Sequence, residues 1–440
     1  MRLARAILCA LALCAVALPL QVRAQEKAQA FVGAQIITVS GADIPNGALV
    51  IERGKITAVG ARDTVRIPSD AQVIDVSGKT IMPGLVDTHS HIGGGAGGDN
   101  SAPIQPDVRI LDSFNPRDSS LRRAQAGGIT TVNILPGSGH LLSGQTIYLK
   151  LNGGKTIDEL AIRDERGNIM GGMKMANGTN PIRQPPFPGT RAKSAALLRE
   201  QLLKAMDYRD KIKRAGGDQM KMPARDLAME GLVEVLDGKR IVHFHTHRAD
   251  DIMTVLRLQK EFGFRVVLHH VSEGWKIADE IAKAGVPCSI IVIDSPGGKL
   301  EAVNLILGNG AALERAGVLT AFHTDDYITD SRLFLRSAAL AVRAGMSRDK
   351  AIYALTMAGA RMLDLQNRVG SLEVGKDADF IVLSGDPFSV YTHVMETFVE
   401  GKKVFDRANP EDKLYATGGY NAGREQTADT GEDEMDREGH

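Results

Sequence analysis

Two textures of apolar and polar positions alternate along the chain. From about residue 27 to 80, short apolar runs are broken by tight, glycine-containing turns. Phe31–Val39 comes first. Ala48–Glu52 and Lys55–Val59 flank Arg53-Gly54, and Val73–Val76 and Lys79–Met82 flank Ser77-Gly78. This spacing predicts a set of short β-strands. From Leu85 to about Leu363 the texture changes, and apolar strand-like runs alternate with amphipathic stretches. The runs are Ile129–Leu135, Thr146–Leu151, Met170–Met175, Ile241–Phe244, Arg265–His270, Pro287–Ile293 and Val318–His323; Ala192–Arg214 and Ile277–Ala284 have helical spacing. Such alternation predicts βα units around a parallel sheet. With the run before His89 there are eight candidate strands, in a segment about the size of a TIM barrel.

Beyond the barrel segment the β texture returns in Ala378–Leu383 and His393–Phe405, with a turn at Glu400-Gly401-Lys402. We therefore expect an α/β fold: a (β/α)8 TIM barrel over residues 85–364, and a small β-sandwich domain built from both chain ends, 27–84 and 365–408. Residues 409–440 have no apolar period and many acids, and are expected to form a disordered acidic tail.

The first residues bear on location. Arg2 and Arg5 precede an apolar run, Ile7–Leu20, that is short for a membrane span, and Val22-Arg23-Ala24 offers small residues at cleavage offsets. A signal peptide cleaved after Ala24 is expected, giving a periplasmic or secreted protein. Cleavage would leave Cys288 as the one remaining cysteine, so no internal disulfide is expected. Formal net charge is zero and aromatics are 5%. Neither points to nucleic acid or a membrane as partner. A small-molecule or dipeptide substrate is expected, and a homo-oligomer stays open.

Nine of the eleven histidines lie between residues 89 and 323. His89 and His91, in Thr88-His89-Ser90-His91, end an apolar run, and side chains two apart on a strand point the same way. They can hold one metal ion between them, zinc being a common partner of neutral imidazole. Ile241–His247 carries His243, His245 and His247 on one face; His245, nearer the strand's end, is the preferred ligand. His269 and His270 are neighbours, so only one should point into the barrel, and His270 is preferred for both metal binding and catalysis. Asp325, at the end of the last barrel strand, can bind the ion and take a proton from its water. His323, deeper on the same face, suits a supporting role.

Lys174 stands inside an apolar strand. Burial favours a neutral amine, which can add carbon dioxide and form a carbamate that bridges two ions; a lysine that snorkels or binds a substrate carboxylate is the other reading. His140, Arg183 and Tyr327 are candidate substrate-binding residues. Arg191 is a further candidate for a carboxylate.

Together these residues resemble the amidohydrolase superfamily, in particular its imidazolonepropionase-like and dipeptidase-like secreted members. Gly33–Val39 and Ile81–His91 are similar to that family's opening, and Val369–Phe380 to its closing signature. The resemblance implies a metal-binding barrel with His89, His91, Lys174, His245, His270 and Asp325 as ligands of one or two divalent ions. It implies hydrolysis of an amide or cyclic amide, or of a dipeptide, by attack of metal-bound hydroxide, with Asp325 as general base. Some relatives place a Glu in a Gly-Xaa-Asn-Pro segment; here Gly178-Thr179-Asn180-Pro181 has Thr. A deaminase of an aminated ring, or a non-catalytic exported binding protein, are the competing readings.

Overall fold

The computed structural model describes residues 27–94, 98–293 and 300–418. The expected signal segment, 1–24, and the residues beyond 418 lie outside them. The strands are β1 Gln29–Ile36, β2 Ile44–Glu52, β3 Lys55–Ala61, β4 Gln72–Asp75, β5 Thr80–Pro83, β6 Leu85–Ser90, β7 Ile129–Ile134, β8 Leu142–Gln145, β9 Ile147–Lys150, β10 Met173–Ala176, β11 Val242–Thr246, β12 Val266–His270, β13 Cys288–Ile290, β14 Thr320–Phe322, β15 Phe380–Leu383, β16 Val394–Val399 and β17 Lys402–Asp406.

Both chain ends enter one eight-stranded sheet, ordered β17-β16-β15-β5-β1-β2-β3, with β4 paired to β1. Phe31 on β1 meets Phe398 on β16 with ring centroids 5.1 Å apart, although two strands lie between them. In a flat sheet they would stand roughly 14 Å apart at the usual spacing of strands. The sheet therefore folds over, and Phe31, Phe380, Phe398, Ile36, Leu49 and Ile81 fill the space inside. Phe380 and Phe398 stack at 4.5 Å.

The middle of the chain builds the rest. Strands β10 to β14 run parallel in sequence order, and β6 pairs parallel with β7. The third strand position departs from expectation. β8 pairs antiparallel with β10, and β9 pairs antiparallel with β7. Leu142–Lys150 is nearly continuous and runs backwards, so β7 returns through a turn at Pro136–Leu141 rather than through a helix. The Gly137 carbonyl accepts from Ser143 Oγ at 2.7 Å and ties that turn. At the other end of the series β14 meets β6: Asp325 N donates to His89 O at 2.9 Å, and Thr324 Oγ1 donates to Asp87 at 2.5 Å. The ends of the first and last strands are thus joined directly.

Helix Arg191–Ala215 matches its expected span; Thr190 caps its start through Lys193 N, and Gly216, at φ 57°, ends it. The C-terminal stretch is a correction. Residues expected to belong to a disordered tail form helix Pro410–Thr417, with Asn409 as N-cap and Pro at its first turn. It leans on helix Ser119–Ala126, where Arg122 pairs with Asp412 and lies over the Tyr415 ring at 4.5 Å. Asn409→Ala should cost about 1 kcal/mol of local helix stability. Faster amide hydrogen exchange at 411–414, with unchanged exchange elsewhere, is the expected result. No helix of the described residues is long and apolar enough to cross a membrane.

Candidate metal centre

The C-terminal ends of β6, β10, β11, β12 and β14 bring imidazoles, a lysine and a carboxylate together. His89 lies fully buried on β6, and its Nε2 is 3.3 Å from His91 Nε2 and 3.2 Å from Lys174 Nζ on β10. Asp325 Oδ1 is 3.3 Å from His89 Nε2 and 3.1 Å from His91 Nε2, while Oδ2 is 3.7 Å from His270 Nδ1. His91 Nδ1 lies 2.8 Å from the Leu135 carbonyl, which turns its Nε2 towards the centre. Three groups of ligand atoms each lie within 4.8 Å of one another: His89, His91 and Asp325; His245, His247 and His270; and His89, His270 and His323.

These residues fit a divalent cation. Burial, reinforced by the Lys174 charge, holds His89 well below the ordinary histidine range, and burial with His245 does the same for His270. Neutral imidazoles carry the lone pair a metal needs. His89 Nδ1 and His270 Nε2 are buried and have no hydrogen-bond partner among the described residues. Burial would push Asp325 up, but the hydrogen bond and charge of His91, with His323 and Lys174 behind it, hold it well below the usual carboxylate range.

One expectation fails here. Neighbouring strand residues should face opposite sides, yet His269 and His270 both turn inward; their ring centroids each lie 4.8 Å from that of His89. The cause is the backbone: His270 and Val271 sit at φ 68° and 51°, so the strand ends in a left-handed bend that swings His270 in beside His269. Asp325 has φ 49°, and such positions cost energy in residues other than glycine. His269 bonds to His243 at 2.9 Å, and His243 to Tyr148 at 3.0 Å, forming a polar column below the site. His323 lies 2.8 Å from Ser289 Oγ and 3.1 Å from His270 Nδ1.

Two of the candidate substrate residues, His140 and Arg183, come together. His140 packs on Phe187 at 5.3 Å, and Arg183 lies over the same ring at 4.2 Å while bonding Asn100 at 3.0 Å and the Gly139 carbonyl. Burial, then the Arg183 charge, lowers His140 to about 4. Tyr327 is 41% exposed on the Asp325–Ile328 turn. Arg191 is committed to structure, gripping buried Asp251 at 2.9 Å. Two residues, Asp87 and Glu301, escaped the sequence reading, and His247, weighed there beside the preferred His245, joins the site. Asp87 joins β6 to Thr324, and burial raises it to about 7; only its place two residues before His89 hinted at a role. His247 groups with His245 and His270. Glu301 comes from a loop turn with no period to mark it, and its Oε1 lies 3.7 Å from His245 Nε2.

Mostly parallel strands that carry such a cluster at their C-terminal ends suit a hydrolase of the metal-dependent kind. The chain belongs to the amidohydrolase family, whose model matches residues 80–408. An amidohydrolase structure from Thermotoga maritima MSB8 is similar at 33% identity and a TM-score of 0.80, covering 86% of this chain and 100% of that one. Imidazolonepropionase of Deinococcus radiodurans is 26% identical over 389 residues, 78% of this chain and 86% of its own. Amidohydrolase tasK of Hapsidospora irregularis is 26% identical over 393 residues, 82% of this chain; the match spans 40% of that protein's length. The chain is thus a metal-dependent, imidazolonepropionase-like hydrolase acting on carbon–nitrogen bonds.

Proposed function

We propose that the protein hydrolyses an amide or cyclic amide, including dipeptide bonds, on one or two zinc ions held in a (β/α)8-type barrel beside a β-sandwich, and that it does so after export. The observation that carries this is Asp325, one carboxylate that touches His89 and His91 with one oxygen and approaches His270 with the other. A divalent ion bound there would lower the pKa of a water towards about 7 and polarise the substrate carbonyl. His89, His91, His245, His270 and Asp325 would hold one or two such ions, with a carboxylated Lys174 as a further ligand.

The remaining chemistry falls to the chain. Asp325, ionised at neutral pH, accepts a proton from the attacking water and hands it to the leaving nitrogen. His323, fixed by Ser289, which itself lies 2.6 Å from Thr88 Oγ1, sets the orientation of His270 beside the carbonyl. Arg183 and His140 stand on the loop side, where a guanidinium suits a substrate carboxylate.

The test is metal analysis of the purified protein, followed by amine and ammonia release from a panel of dipeptides, cyclic amides and aminated rings. Expected are bound zinc, amine release, and loss of turnover on chelation that added zinc restores. Intact mass of Lys174-containing protein should show a carbon dioxide adduct that acid removes. Ammonia release from rings alone would make it a deaminase. A metal-free, inert protein would leave a binding module.

A further inference from the structure

Glu301 is a buried carboxylate, 3% exposed, on the single turn Leu300–Ala302. Its Oε2 accepts from the Thr179 backbone N–H at 2.8 Å. The approach is so close that a Cβ on Gly178 would lie 2.3 Å from that oxygen. The other oxygen, Oε1, is buried and has no hydrogen-bond partner among the described residues. It faces His245 Nε2 at 3.7 Å, beyond hydrogen-bond range. No lysine or arginine among the described residues pairs with Glu301. A carboxylate taken out of water without a cation is costly, and a cation at Oε1 would offset that cost.

The 3.7 Å gap suits two ligand atoms around one ion. With metal–ligand distances of about 2.0–2.2 Å, neighbouring ligand atoms stand roughly 3–4 Å apart. His245 already groups with His247 and His270. We propose that Glu301 is, with His245, a direct ligand of a second divalent cation. The carboxylate is delivered from the segment after β13 and clamped by the Gly178-Thr179 backbone, the segment where Thr179 itself offers no carboxylate. This inference rests on the metal-hydrolase reading and makes its site a two-ion site.

The test uses the mature chain, stripped of metal and titrated with zinc alone by calorimetry, with bound metal counted after dialysis. Wild type should take two ions. Glu301→Gln should keep one at unchanged affinity and weaken the other by about 100-fold or more, since even partners outside the ligand shell are worth about 10–100-fold. Gly178→Ala, which displaces the Glu301 carboxylate but removes no ligand side chain, should weaken the same ion; a matching circular-dichroism melt shows that each variant folds. Two ions bound unchanged in both variants, or one ion in wild type, would overturn the role of Glu301 and leave the metal-hydrolase reading standing. No ion in wild type would end both. Unchanged zinc binding with a raised KM for amine-bearing substrates only would also overturn it, making Glu301 a substrate contact instead.

Discussion

Asp325→Asn is expected to lower kcat by about 10²–10⁴-fold, the usual worth of a positioned general base, with the fold preserved. Asparagine keeps the shape of the side chain and tolerates the left-handed backbone that Asp325 adopts at φ 49°. The backbone bond from residue 325 to the His89 carbonyl, 2.9 Å in the wild type, does not involve the side chain. The amide oxygen can still face His91. What the amide cannot do is take a proton. KM should move far less than kcat, and zinc content should fall only in part, because three or more imidazoles remain. The checking measurement is steady-state kinetics on the best amide of the panel, beside metal content and a thermal melt. A variant that turns over at near the wild-type rate would remove Asp325 from its role and leave proton transfer to another group.

Much of this centre was legible because metal ligation on strands writes itself into short-range periodicity. His89 and His91 are two apart at the end of an apolar run, and the structure puts their Nε2 atoms 3.3 Å apart. Lys174 in Met173-Lys174-Met175 is fully buried beside His89. Strand-by-strand reasoning fails where the backbone leaves the strand. The bend at His270 and Val271 breaks the alternation that would have excluded His269. The reversal of Leu142–Lys150 was out of reach for another reason: an apolar run reads the same in either direction, and only pairing partners decide. Glu301 is positioned by a 3-10 turn and a backbone N–H 122 residues away, so no local pattern announces it. The helix Pro410–Thr417 differs, since its signals were present: Asn409 as cap, Pro410, then Glu411 and Asp412 in the first turn. Acid-rich composition over the whole stretch outweighed them.

Lys150→Met should destabilise the protein by about 3–5 kcal/mol, the cost of leaving a buried charge unpaired. Lys150, on β9, is 3% exposed, and its Nζ sits 2.9 Å from Asp377 and 2.5 Å from Asp379. Both carboxylates belong to the closing stretch Gly375–Phe380, so this one ammonium ties a strand of the middle segment to the start of β15. The two partners are not equally exposed to its loss. Asp377 also holds Lys55 at 2.6 Å and Arg368 at 3.3 Å, and despite burial these cations and Lys150 draw it down to about 2. Asp379 has the backbone N–H of Glu400 at 2.8 Å besides Lys150, and burial raises it. Removing Lys150 therefore strands Asp379 above all. The double variant Lys150→Met, Asp379→Asn should recover more than half of the loss, because no unpaired charge then remains inside. The sign of the acid response follows from Asp377. Its folded pKa lies below the unfolded value of 3.8, so it adds stability above about pH 4 that disappears as pH falls towards about 2; the raised pKa of Asp379 acts in the opposite sense as pH rises past the same unfolded value. Thermal midpoints of the three proteins at pH 7 decide the matter. If the single variant melts with wild type, the clasp is ornamental; if the double variant melts no higher than the single one, packing of the lysine stem rather than its charge holds β9 to the closing stretch.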